Sequence, residues 1–139
     1  MIGYFDTSAV IPLIIEEPTS ARCTRLWSAS ERVVSVTLMY AEARAALAMA
    51  RRTGRLNSDE LAAAVDQLEN LIGAFDRVQV TESLVRRAGD LAQEHSLRGY
   101  DAVHLAAAMS VAGADGVFIS NDRILNDAAV AVELNTVAP

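Results

Sequence analysis

Ile2-Gly3-Tyr4-Phe5-Asp6-Thr7-Ser8-Ala9 stands near the start of the sequence, and its first four residues are a short uncharged apolar run that ends at an acid, Asp6. Its length and its aromatic content predict a buried strand over Ile2 to Phe5. A second stretch, Val117-Phe118-Ile119-Ser120-Asn121-Asp122, repeats the plan near the other end of the sequence: a strand over Val117 to Ser120, then an acid. Strands that are apolar without alternation belong to parallel sheets covered on both faces. In such sheets ligands bind beyond the carboxyl ends of the strands, near the point where strand order reverses. Asp6 and Asp122 are therefore predicted to project into one crevice.

Between these stretches strands and helices alternate. Ser8 to Ile15 is apolar and predicted helical, and Pro18 is read as opening a helix through about Trp27. Val33 to Val36 is β-branched and short, a second strand. Leu38 to Arg52 is rich in Ala, Leu and Met, a helix closed by Gly54. Ser58 is expected to cap the next helix, running to about Phe75. Arg77 to Val80 reads as a strand, Thr81 as the cap of a helix ending near His95, and Tyr100 to Ala112 as a helix stopped by Gly113. A short helix at Arg123 to Asn126 and a last strand at Ala131 to Leu134 complete the pattern. The implied fold class is α/β, with a central parallel sheet of about five strands flanked by helices on both faces. No repeat, composition shift or linker divides the 139 residues, so residues 1–139 are read as one domain.

Composition narrows the chemistry. The chain is 52% hydrophobic and 22% charged, a globular balance. No apolar run approaches the roughly 20 residues that span a bilayer, and Met1 to Phe5 carries no basic stretch of an export signal. The lone Cys23 cannot form an internal disulfide, which fits a reducing cytoplasm, and it reads as packing. All 12 basic residues are arginine. Without lysine there is no P-loop Lys, no Schiff-base Lys and no Lys partner for a phosphorylated Asp. An aspartyl-nucleophile phosphatase also wants a second Asp two residues after the first, and Ser8 stands there. The net charge of −6 opposes nucleic-acid binding unless something offsets it.

Two further acids lie on helices. Glu42 shares a helix face with Leu38, Ala45, Ala46 and Met49, which predicts a carboxylate on a core-facing stripe. Asp101 opens a helix whose remaining inner face is Ala, Val, Leu and Met. Singly, each acid has a plain structural explanation as a cap, a turn residue or an ion-pair partner. Drawn into one crevice, four carboxylates without lysine require another cation, and a hard divalent ion with oxygen ligands is the natural one. Such an ion also turns an acidic pocket into one that attracts phosphate.

Tyr4-Phe5-Asp6-Thr7-Ser8-Ala9, Ala41-Glu42, Tyr100-Asp101-Ala102-Val103-His104-Leu105-Ala106 and Phe118-Ile119-Ser120-Asn121-Asp122 together resemble the PIN-domain family, and within it the VapC-type toxins of toxin–antitoxin pairs. The run around Asp101 is the most specific match. The four motifs lie in register along the whole chain; Ser120 stands where Thr is more usual and keeps the hydroxyl. The resemblance implies endonucleolytic cleavage of structured RNA such as tRNA or rRNA, dependent on Mg²⁺ or Mn²⁺. It implies that Asp6, Glu42, Asp101 and Asp122 are catalytic and hold the metal, directly or through its water shell. It also implies a homodimer and a VapB-type antitoxin partner. Ser8 and Ser120 are then expected to orient carboxylates or water, and Arg98 and Arg123, which flank site acids, to position substrate.

Other residues read as structural. His104, three residues after Asp101, is expected to pack rather than act as a base. Arg51, Arg52 and Arg55 complement a helix end, and Trp27 belongs to the core or to a partner groove. The competing reading from another class is a catalytically inactive PIN-like scaffold that binds an antitoxin or RNA.

Overall fold

The computed structural model describes residues 1–138. Five strands form one wholly parallel sheet: β1 (Ile2–Phe5), β2 (Arg32–Val36), β3 (Phe75–Val78), β4 (Gly116–Ile119) and β5 (Thr136–Val137). Their order across the sheet is β3-β2-β1-β4-β5. The chain thus builds outward from β1 in one direction, then returns to its other edge with β4. That reversal between β1 and β4 is where a parallel sheet opens a crevice.

Seven α-helices cover the sheet: α1 (Thr7–Val10), α2 (Ser20–Ala29), α3 (Met39–Arg52), α4 (Ser58–Ile72), α5 (Glu82–His95), α6 (Gly99–Val111) and α7 (Arg123–Ala131). Alternation along each strand sends neighbours to opposite faces. Tyr4, Val34 and Phe118 pack with α5, α6 and α7 on one face. Phe5, Val33 and Ile119 pack with α1, α2, α3 and α4 on the other. The α/β class, the five parallel strands and the helices on both faces match the sequence reading.

Several boundaries shift for physical reasons. The first helix tightens into a 3₁₀ turn at Ile11–Leu13, because Pro12 has no N–H for the Ser8 carbonyl. The Asn121 side-chain amide donates to that carbonyl instead, at 2.8 Å. The cap of α4 is Asn57 rather than Ser58: it forms a capping box with Glu60, a stronger arrangement than Ser58 alone. β3 begins at Phe75, two residues before the expected strand, because Phe75 pairs with Val33 and packs its ring against Phe5 and Trp27. At the end of the chain α7 continues to Ala131, so the expected strand at Ala131–Leu134 is a helix terminus and turn with Glu133 at φ 63°. The strand there is the two-residue β5. Among the described residues no helix is long and apolar enough to cross a membrane.

Candidate active site

β1 delivers Asp6 at its carboxyl end, where the same residue caps α1 by accepting from the Ala9 N–H at 3.2 Å. The carboxylate is buried, 4% exposed. Ser8 Oγ donates to its Oδ1 at 2.7 Å and Ser120 Oγ to its Oδ2 at 2.7 Å. Both serines are themselves fixed, Ser8 Oγ accepting from the Asn121 N–H at 2.8 Å and Ser120 Oγ from the Asp122 N–H at 3.0 Å. Burial pushes the Asp6 carboxyl above its ordinary value of 3.8. The nearby His104 and the donors from Ser8, Ser120 and Ala9 act in the opposite direction without cancelling that rise.

Glu42 does not sit on the stripe that the sequence suggests. The core stripe of α3 is Met39, Ala43, Leu47 and Ala50, and Met49 is exposed. Alanine occurs on every side of this helix, so its apolar period does not fix which face turns inward. Glu42 lies on the flank of the stripe with its carboxylate satisfied. Thr7 Oγ1 donates to Oε1 at 3.0 Å, and His104 Nε2 stands 2.6 Å from the same oxygen. His104 is packed as expected, 2% exposed, and also hydrogen-bonded at both nitrogens, with the Tyr4 hydroxyl 3.0 Å from Nδ1.

Asp101 lies in the first turn of α6, and Asp122 caps α7 by accepting from the Leu125 N–H at 3.1 Å. Arg98 reaches both: its Nε donates to Asp101 Oδ2 at 3.2 Å, and a terminal nitrogen lies 4.0 Å from Asp122 Oδ2. The Asp101 and Asp122 side chains keep 20% and 28% of their surface exposed, and Arg98 84%. Arg123 is exposed at the start of α7, with no ion pair among the described residues.

Contacts chain the four acids together. Ser120 bonds both Asp6 and the Asp122 backbone, Thr7 next to Asp6 bonds Glu42, and Arg98 spans Asp101 and Asp122. Glu42 and Asp101 line one open cleft of about 340 Å³ with Arg98, Gly99 and Tyr100. A larger groove of about 590 Å³ beside Leu84 and Met109 is lined by no acid. Among the described residues no three His, Cys, Asp or Glu side chains converge tightly enough to enclose an ion by themselves. Glu42 and Asp101 face the cleft beside Arg98, while Asp6 lies buried behind it.

A family model described as PIN domain matches residues 3–131. This chain belongs to the PIN-domain family. Within it the protein is of the VapC type. It is 41% identical over 126 residues to Mycobacterium tuberculosis proteins named ribonuclease VapC45 and ribonuclease VapC49, covering 91% of this chain and 88% of each of theirs. Two solved structures share the fold of this PIN domain. One is M. tuberculosis VapC20, described as a sarcin-ricin loop cleaving toxin, with TM-score 0.69, 18% identity and coverage of 91% and 94%. The other is a toxin–antitoxin complex from Klebsiella pneumoniae, with TM-score 0.59, 17% identity and coverage of 86% of each chain.

Some partners in this PIN domain's site are not legible from pattern. Thr7 stands beside Asp6 in the opening run, yet its bond to Glu42 joins residues 35 apart. Asn121, between Ser120 and Asp122, ties the β4 loop to the first helix through Ser8. Tyr100 is 62% exposed at the cleft, and an exposed aromatic beside a helix start gives no periodic signal.

Proposed function

We propose that this VapC-type ribonuclease is a divalent-metal-dependent endonuclease, the toxin of a VapBC-type pair, that cuts structured RNA such as tRNA or rRNA. The observation that carries the reading is that contacts through Ser120, Thr7 and Arg98 link Asp6 at the end of β1, Asp122 after β4, Glu42 on α3 and Asp101 on α6. We assign these four to the catalytic, ion-holding set, with Mg²⁺ or Mn²⁺ as the ion. The donor chemistry fits a hard cation. All four offer carboxylate oxygens, and neither Glu42 Oε2 nor Asp101 Oδ1 has a protein hydrogen-bond partner among the described residues. Asp6 is a buried acid with no arginine partner among the described residues, and its carboxyl pKa stays raised because burial outweighs the His104 charge and the donors from Ser8, Ser120 and Ala9.

When bound, such an ion supplies a Lewis acid for phosphate oxygens and an activated water. The protein's part is placement. Ser8 and Ser120 hold the Asp6 carboxylate from both sides, so it needs no reorganisation to act. Asp101 and Asp122 complete the rim, and the exposed Arg98 between them can exchange its carboxylate partners for a substrate phosphate. Arg123 stands on the same rim. The exposed ring of Tyr100 offers a stacking face for an unpaired base, as RNA loops require.

The partners follow from the same reading: a VapB-type antitoxin, a second copy of the chain in a homodimer, and no membrane, with the whole of residues 1–139 acting as one nuclease domain in the cytoplasm. Total RNA incubated with the purified protein tests the core of it. Discrete fragments with Mg²⁺, none with EDTA and none from Asp6→Ala are expected. Absence of cleavage by folded, antitoxin-free protein would favour the inactive scaffold.

A further inference from the structure

Among the described residues Glu42 alone of the four acids is hydrogen-bonded to a histidine, and that histidine is held in turn. His104 Nε2 lies 2.6 Å from Glu42 Oε1, and the Tyr4 hydroxyl lies 3.0 Å from Nδ1. Tyr4 is fixed as well, its ring stacked on Phe118 at 5.6 Å and meeting His104 edge-on at 6.0 Å. The chain Tyr4–His104–Glu42 therefore runs from the buried face of β1 and β4 to the cleft.

Hydrogen placement follows from the acceptors. A bare Nε2 lone pair facing a carboxylate oxygen at 2.6 Å would be repulsive, so Nε2 carries a hydrogen and donates to Oε1. In the single-hydrogen ring, Nδ1 is then an acceptor, and the Tyr4 hydroxyl donates to it. With Thr7 Oγ1 also donating to Oε1, both donors that reach Glu42 occupy one of its oxygens. Oε2 is left for the cleft that Glu42 lines.

We propose that Tyr4 and His104 form a positioning relay that fixes the Glu42 carboxylate with Oε1 committed to the protein and Oε2 presented to the divalent ion. The Glu42 carboxylate places the hydrogen on Nε2, Tyr4 stabilises that tautomer by donating to Nδ1, and His104 sets the rotamer of Glu42. His104 touches neither ion nor RNA. The inference rests on the metal reading above, and its test separates the two. Partners of this kind tune metal affinity by about 10–100-fold when removed.

The experiment uses four proteins: wild type, Tyr4→Phe, His104→Gln and His104→Leu. The ring tautomer of His104 is read by long-range ¹H–¹⁵N NMR on metal-free protein, and Mn²⁺ affinity by titration calorimetry. Wild type should show hydrogen on Nε2 and a bare Nδ1. Tyr4→Phe, which removes one oxygen and no ring, should shift that tautomer balance and weaken Mn²⁺ binding a few-fold. His104→Leu should weaken it by about tenfold or more, and His104→Gln, which keeps a donor at similar reach, should recover most of the loss. A folded His104→Leu that binds Mn²⁺ as wild type does would overturn the relay, as would hydrogen on Nδ1 alone in the wild type. Failure of the wild type to bind Mn²⁺ would sink the metal reading instead, and the tautomer and its response to Tyr4→Phe would still decide whether the relay exists.

Discussion

Asp6 and Glu42 are held by donors from α1, from α6 and from Ser120 just after β4, with His104 and Ser120 buried, whereas Asp101 and Asp122 share a single exposed arginine at the rim. The two halves of the site solve different problems. The inner half fixes its carboxylates through several donors, and the desolvation cost falls on Asp6, 4% exposed with a raised carboxyl pKa, while the Glu42 side chain keeps 20% of its surface. The outer half stays hydrated, keeps its charges inexpensive, and can rearrange when a polyanion arrives. Preorganised inner groups with an adjustable rim suit a site that must place one phosphate accurately while accepting a large, irregular substrate.

The largest expected effects come from removing one acid in each half, and the stability readout tells the halves apart. Asp6→Asn and Asp101→Asn should both abolish cleavage. Metal-free Asp6→Asn should melt higher than wild type, by on the order of a few degrees, because it removes a buried charge whose desolvation outweighs the help from His104 and its hydrogen-bond donors. The sign follows from linkage: a carboxyl whose folded pKa is raised contributes stability fully below the unfolded pKa and loses it as pH rises through the folded one. The gap between Asp6→Asn and wild type should therefore open above about pH 4 and vanish below it. Asp101→Asn, partly hydrated, should melt close to wild type at every pH. Equal melting of the two variants at neutral pH would erase the distinction drawn here.

Next in size is the support under the inner half. Ser120 is buried and serves both Asp6 and the Asp122 backbone. Ser120→Ala should cost about 1–3 kcal/mol, since it strips a donor from a buried carboxylate. Urea unfolding measures this directly, and a loss under about 0.5 kcal/mol would mean water substitutes for the hydroxyl.

The sequence makes the outer frame of this site readable and its wiring not. Asp6 and Asp122 announce themselves because each follows an apolar strand, Asp6 immediately and Asp122 after Ser120 and Asn121, and α/β topology carries such positions to one edge. The run from Tyr100 to Ala106 marks Asp101 by resemblance. Glu42 is legible as an acid in an apolar helix, but its face is not, because alanines on all sides of α3 blur the period. The bond between His104 and Tyr4 spans 100 residues and depends on β1, β4 and α6 meeting, which no local pattern encodes. The final strand is missed for a simpler reason: two residues give no periodicity, and α7 outcompetes it with a longer apolar face.

Metal binding should stabilise by joining the two halves. At about ten times its Kd an ion that binds only the folded chain adds about 1.4 kcal/mol, a melting rise of roughly several degrees. Mg²⁺ or Mn²⁺ should produce this in wild type and lose it in Glu42→Gln. No rise at millimolar metal would count against any site shared between inner and outer acids.

The smallest expected effect on stability, Arg98→Ala, sharpens the comparison most. Its ion pairs with Asp101 and Asp122 are solvent-exposed, and such pairs contribute about 0–1 kcal/mol. Melting should hardly change without metal. If Arg98 moves to the RNA backbone when substrate arrives, KM should rise and its salt dependence flatten, while kcat stays near wild type. A fall in kcat at unchanged KM would place Arg98 with the rigid inner half, acting in the transition state, and would redraw the boundary between the two halves through the rim itself.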